Sequence, residues 1–122
     1  MNKNIVGINQ CAKDCHEAAI NGGWWHDHDG KKKDRNIGEL LCLIHSEISE
    51  AMEGARKGLM DTHLKHRPMM EVELADAIIR IFDLAESQNF NLGETIYEKL
   101  EYNKNRADHK INNRLKEGGK KF

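Results

Sequence analysis

The chain has 122 residues, enough for one domain, and its 19 basic and 20 acidic residues leave a formal net charge of −1. This balance argues against a nucleic-acid-binding protein, which usually carries a basic excess or a basic face. No apolar run approaches the ~20 residues that span a bilayer, and the first residues lack the apolar core of a signal peptide. We therefore expect a cytoplasmic protein that binds neither membranes nor nucleic acid.

Apolar residues recur at steps of three and four, which predicts four helices, at residues 5–19, 37–55, 74–85 and 92–100. Local signals set their ends. Residues 21–23, Asn-Gly-Gly, end the first helix and Gly58 ends the second, since glycine accepts the left-handed closing conformation. Pro68 suits the first turn of the third helix. Asn91 can cap the fourth helix, with Glu94 as its capping-box partner.

These stripes predict an all-α, four-helix bundle-like fold. Met52, Phe82 and Leu84 lie beside the main rows and widen the apolar faces, which favours packing against a second subunit over a monomer. Residues 1–110 are expected to form the helical domain. Residues 111–122 are basic and poor in apolar side chains, and we expect them to form a mobile tail.

The three cysteines do not predict a disulfide scaffold, because their number is odd and they form no paired framework. Cys11, Cys15 and His16 are close enough in sequence to suggest zinc. A fourth ligand is not evident and Cys15 fits the apolar row, so we expect buried thiols.

Two acidic pairs stand out on successive helices. Glu47 and Glu50 lie on the second, and Glu73 and Asp76 lie on the third. A spacing of three puts both members of a pair on one face, here beside the apolar row. If the helices are antiparallel neighbours, the carboxylates share a cleft, where two charges at about 4 Å repel by about 4 kcal/mol. A hard cation such as Mg²⁺ removes this repulsion, whereas the alternative is an ordinary solvated helix face.

Two further features suit a nucleotide. Lys99, Asn103 and Arg106 follow one face of the fourth helix and match phosphate oxygens, although an amphipathic surface helix would also carry them. Trp24 and Trp25 are adjacent in a polar connection. Either both pack at the end of the bundle, or one stacks on a base, and Trp25 is then our choice.

The order of these motifs resembles the all-α nucleotide pyrophosphohydrolases of the MazG family. The likeness covers roughly residues 24–122 and is carried by Glu47-x-x-Glu50, Glu73-x-x-Asp76 and Lys99-Leu100-x-x-Asn103-Lys104-x-Arg106. The sequence departs from the family at Ser46, where many members have a first of two adjacent acids, which puts the number of metal ions in doubt.

The resemblance implies Mg²⁺-dependent hydrolysis of nucleoside or deoxynucleoside triphosphates to the monophosphate and pyrophosphate, with Mn²⁺ as a substitute ion. It implies that Glu47, Glu50, Glu73 and Asp76 hold the metal and that Lys99, Asn103 and Arg106 contact substrate. Glu47 or Glu50 can take the proton of the attacking water. The family assembles as dimers or tetramers, and we expect a tetramer. The alternatives are a non-catalytic nucleotide-binding module and a helical oligomerisation module.

Overall fold

The computed structural model describes residues 2–122, except for the side chain of Ala107. This part of the chain is all-helical, with two isolated β-bridges and no strand, so the predicted fold class is confirmed. All four predicted helices are present. A 3₁₀ turn at Ala107–His109 follows them. The helices are α1 (Lys3–Asn21), α2 (Ile37–Lys57), α3 (Met69–Ser87), α4 (Leu92–Lys104) and the short α5 (Ile111–Arg114).

The ends of α2 and α3 follow the local sequence signals. Gly58 closes α2 in the left-handed conformation, with φ 63° and ψ 37°, and its N–H donates to the Gly54 carbonyl. The Asn36 side chain caps the start of α2 by accepting from the Glu39 N–H at 3.0 Å. Pro68 stands immediately before α3, where its fixed φ of −57° leads into the first turn.

The start of α4 differs from the prediction. Asn91 is the N-cap, but its side chain makes no capping hydrogen bond, so the expected capping box with Glu94 is wrong. The side chain of Asn9, in α1, caps the start of α4 instead and also binds Glu94. Its side-chain oxygen accepts from the Gly93 N–H at 2.9 Å, and its amide nitrogen donates to Glu94 at 2.6 Å. A residue distant in sequence thus satisfies the free N–H of the first turn.

The described chain divides into two compact units. The smaller comprises the described residues up to Asn9 together with Asn91–Phe122, and the larger comprises Gln10–Phe90. In the smaller unit, the segment predicted as a tail, residues 111–122, contains α5, and the Lys120 ammonium lies 2.8 Å from the Asp108 carboxylate. The mobility of this segment stays a prediction.

In the larger unit, α2 and α3 pack together as antiparallel neighbours. Gly54, near the end of α2, faces Met69 at the start of α3 so closely that an added Cβ would lie 2.9 Å from the Met69 side chain. Further back along α2, Glu47 accepts a hydrogen bond from Arg80 of α3 at 3.1 Å. Because the contacts run in opposite directions along the two helices, the expected antiparallel arrangement is confirmed.

The buried side chains of the larger unit are mostly small. Alanines dominate, with two larger neighbours, and the set is Ala12, Trp25, Leu40, Ala51, Ala77 and Ala85. Several large members of the predicted apolar rows are exposed instead, among them Ile48, Leu74 and Ile78, each at 45–49%. These rows are therefore not buried within the single chain, and their packing against a second subunit stays a prediction. The buried positions of this unit are thus held mainly by small residues, and Gly54 makes the close contact with α3.

Two sequence expectations concern the cysteines and the membrane. Cys11 and Cys42 are exposed and only Cys15 is half-buried, so the expectation of buried thiols is wrong for the first two. The three cysteines are free. Within residues 2–122, no helix combines the length and the apolar character needed to cross a membrane.

Candidate metal centre

Three of the four predicted carboxylates converge between α2 and α3. Glu47, Glu73 and Asp76 each offer one oxygen, and these oxygens all lie within 4.8 Å of one another. Helical spacing places Glu73 and Asp76 one turn apart on α3, and the antiparallel contact brings Glu47 of α2 opposite them. Glu47 is buried and the other two are half-buried.

The fourth predicted ligand, Glu50, lies at the edge of this group. Glu50 is exposed, and its carboxylate is not one of the three that converge. It is nevertheless near enough to Glu73 to contribute to the raised pKa of that carboxyl. Glu50 is therefore placed as the solvent-facing acid of the carboxylate cluster, which we define as Glu47, Glu50, Glu73 and Asp76.

The proximity of these acids changes their protonation. A hydrogen bond with Glu47, then burial, then the nearby Glu50 raise the pKa of Glu73 from 4.5 to about 8. Burial and the negative charge of Glu47 raise the pKa of Asp76, and the Arg80 guanidinium acts in the opposite direction. Each effect expresses the same fact, that negative charge is costly at this position without a cation.

The donor set fits a metal ion. Oε2 of Glu73 is buried without a hydrogen-bond partner, so a ligand for this oxygen is missing. All the available ligand atoms are carboxylate oxygens, the type that hard cations prefer. The cluster could therefore hold a metal ion.

A cavity of about 370 Å³ adjoins the carboxylates. Glu47 and Asp76 form part of its wall, with Arg80, Arg35 and Trp24 beside them. Arg80 lies four residues after Asp76 and seven after Glu73, so helical spacing alone could have placed it on this face. Nothing local in the sequence indicated Arg35, which comes from the connection between α1 and α2.

The two adjacent indoles have different surroundings. Trp25 is 6% exposed, its indole N–H donates to Asp83 at 2.9 Å, and His16 contacts the same carboxylate oxygen at 2.7 Å. This is the environment that the packing alternative predicts, and base stacking by Trp25 stays a prediction. Trp24 is 60% exposed and lies in the wall of the cavity beside the carboxylates.

The predicted substrate-binding residues of α4 belong to the smaller unit. Arg106 makes two hydrogen bonds to Asp108, at 3.1 and 2.8 Å, and with Lys120 it holds the pKa of the Asp108 carboxyl well below its usual range. The Lys99 ammonium lies 4.6 Å from the centre of the Tyr102 ring. Oδ1 of Asn103 is buried without a hydrogen-bond partner. Their contact with a substrate stays a prediction.

No protein-family model, curated protein or solved structure matches this chain. The likeness to the MazG family therefore depends on the sequence motifs described above. The chemistry of the site depends on the carboxylate cluster and its neighbouring cavity.

Proposed function

We propose that this protein is a Mg²⁺-dependent nucleoside triphosphate pyrophosphohydrolase of the MazG type. The observation that carries the proposal is the convergence of Glu47, Glu73 and Asp76 oxygens within 4.8 Å on two antiparallel helices. An arginine-containing cavity opens directly beside them. A cation site next to fixed positive charges suits a substrate that brings several phosphate charges and a bound ion.

Magnesium is the ion that the donor set favours, with manganese as a substitute. Mg²⁺ is usually held by a few carboxylates, with waters and substrate phosphates completing its shell. Glu47, Glu73 and Asp76 would hold it, and Glu50 would act at the edge. When bound, such an ion polarises phosphate oxygens and lowers the pKa of water.

The chain's own residues supply the remaining functions. Arg80 and Arg35 lie in the cavity wall, where they can neutralise phosphate oxygens, and the exposed indole of Trp24 offers a flat surface to a base. Glu47 already accepts a hydrogen bond from Arg80. Of the two proposed proton acceptors, the exposed Glu50 is therefore the better placed to meet a water molecule.

The reaction is a single displacement at the α-phosphorus. The water oxygen forms the new bond to phosphorus, the bond from phosphorus to the oxygen of the β-phosphate breaks, and the water proton passes to Glu50. The products are a nucleoside monophosphate and pyrophosphate. Lys99, Asn103 and Arg106 are proposed as further substrate contacts.

The exposed apolar side chains support a homo-oligomer, for which we propose a tetramer. Leu41 and Ile48 on α2, with Leu74 and Ile78 on α3, are each 45–49% exposed in the single chain. Large apolar side chains left exposed in this way suit subunit contacts. Light scattering of the purified protein measures the assembly directly.

The function is tested with Mg²⁺ and a panel of canonical and damaged ribo- and deoxyribonucleotides, with products identified by chromatography. Glu50→Gln should lower kcat by more than ~10²-fold, because the proton acceptor is lost. Glu53→Gln is the matched control, since this acid lies on the same helix and pairs with Lys57 at 2.6 Å. Nucleotide binding without pyrophosphate release would instead indicate the binding module. Full activity of Glu50→Gln would overturn its proposed role.

A further inference from the structure

A second cavity, of about 310 Å³, lies in the larger unit, and its wall includes several basic side chains. Lys32, Lys33 and Arg35 belong to its wall, together with His16 and His26. We call it the basic cavity. The carboxylates of the metal cluster are not among its lining residues.

The loop that carries the lysines is internally hydrogen-bonded. Its two arms are joined by an antiparallel bridge between His26 and Lys32 and by the Lys33 N–H, which donates to the Trp25 carbonyl at 3.0 Å. Gly30 makes the turn with φ 77°. The arms are thus held together, and Lys32 and Lys33 are presented from a defined backbone.

The cations of the basic cavity are left without acidic partners. The Asp27 carboxylate accepts hydrogen bonds from the N–H groups of Asp29 and Lys31, each at 2.9 Å, and so stabilises the turn. Asp34 is the one acid in the wall. In the described part of the chain, no ion pair joins a carboxylate to any of the three cations, Lys32, Lys33 and Arg35.

Arg35 is positioned by aromatic contacts and lines both cavities. Its guanidinium carbon lies 5.0 Å from the centre of the Trp25 ring and 5.9 Å from that of Trp24. Arg35 belongs to the wall of the basic cavity and to the wall of the cavity beside the carboxylates. An anion in the basic cavity would therefore meet a guanidinium whose place is already set.

We propose that the basic cavity is a metal-independent binding site for a compact oligophosphate, either free pyrophosphate or the phosphate chain of a nucleotide. The wall carries three cations that form no ion pair among the described residues, and one acid, so its positive charge favours a multiply charged anion. A volume of about 310 Å³ fits a small molecule. The binding stands on this geometry alone. The interpretation of the basic cavity as a site that retains the released pyrophosphate rests on the proposed function.

The test is a titration of the full-length protein with inorganic pyrophosphate in EDTA, followed by calorimetry and tryptophan fluorescence. The double variant Lys32→Ala/Lys33→Ala should bind pyrophosphate about 10-fold or more weakly, because two charge-assisted contacts are lost. The matched control is Lys13→Ala/Lys65→Ala, which removes the same charge from exposed positions outside the cavity. This control should bind within about 2-fold of the wild type.

Further measurements separate this site from the metal centre and identify the source of the phosphates. Glu73→Gln should retain pyrophosphate binding in EDTA, and a nucleoside triphosphate that binds more tightly than pyrophosphate would identify the nucleotide chain as the ligand. Equal loss in both lysine pairs, loss of binding in Glu73→Gln, or tighter binding of a single-stranded oligonucleotide would each overturn the proposal. Failure of the pyrophosphohydrolase assay would leave these binding results unaffected.

Discussion

The raised pKa of Glu73 leads to a prediction about the stability of the folded protein that does not depend on catalysis. In the metal-free folded protein this carboxyl has a pKa of about 8, against 4.5 as its ordinary value. Between these pH values the folded state binds more protons than the unfolded state, so the free energy of unfolding falls as pH rises. Above pH 8 the folded protein must carry the charge that its neighbours oppose.

The size of this loss follows from the geometry. Two unit charges 4.8 Å apart, the outer limit within the cluster, repel by about 3.5 kcal/mol at an effective dielectric of 20. Solvent screening at this half-buried position reduces the expected effect to about 1–3 kcal/mol. Glu73→Gln keeps the shape of the side chain but cannot ionise. Without metal, it should match the wild type near pH 4, below the ordinary pKa of the carboxyl, and exceed its free energy of unfolding by this amount above pH 8.

The assay is urea unfolding in EDTA at pH values from 4 to 9, followed by circular dichroism. Glu71→Gln is the control, because this exposed acid on the same helix pairs with Arg67 at 2.7 Å and lies outside the cluster. The difference between variant and wild type isolates Glu73 from other groups that titrate in the same range. Parallel pH profiles for Glu73→Gln and the wild type would refute the reasoning.

Other predictions concern the same unit of the fold. Millimolar Mg²⁺ should raise the melting temperature of the wild type by about 3–6 °C, which scanning calorimetry measures, and no shift would count against a formed site. Gly54→Ala should destabilise the protein by about 1–3 kcal/mol in urea unfolding, because the new methyl group meets Met69 at 2.9 Å; an unchanged midpoint would mean that the helices separate freely. Asp83→Ala should cost about 2–3 kcal/mol, since it leaves the buried Trp25 N–H unpaired, and the near-ultraviolet dichroism should change with it. Trp25→Ala should lower the melting temperature; a raised KM at unchanged stability would instead favour base stacking by this indole.

Much of the local structure was predictable because its causes are local. The left-handed cap at Gly58 and the fixed φ of Pro68 act on their own backbone, so the ends of α2 and α3 follow from single residues. Two carboxylates three residues apart share a helix face in any context. The all-α class and the pairing of acids within each helix could therefore be predicted from the sequence.

Contacts between distant parts of the chain were harder to predict from the sequence. Asn9 replaces the expected capping box at the start of α4 because its amide reaches both Gly93 and Glu94 from another helix. The place of Arg35 in the cavity walls could not be predicted from its neighbours in sequence, because it depends on contacts with the two indoles. Neither contact has a periodicity or a spacing that a single sequence displays.

The apolar rows and the two tryptophans show which features the sequence determined and which required the tertiary structure. The sequence by itself determined which residues share a helix face, because the period of the α-helix does that. Only the tertiary structure decided which face meets its neighbour. Gly54 permits a close approach to Met69 of α3, Ala51 and Ala77 are buried, and Ile48 and Leu74 are left exposed. In the same way, the sequence showed two adjacent indoles in a polar connection, but only the tertiary structure decided that Trp25 is buried, with its N–H on Asp83, while Trp24 is exposed.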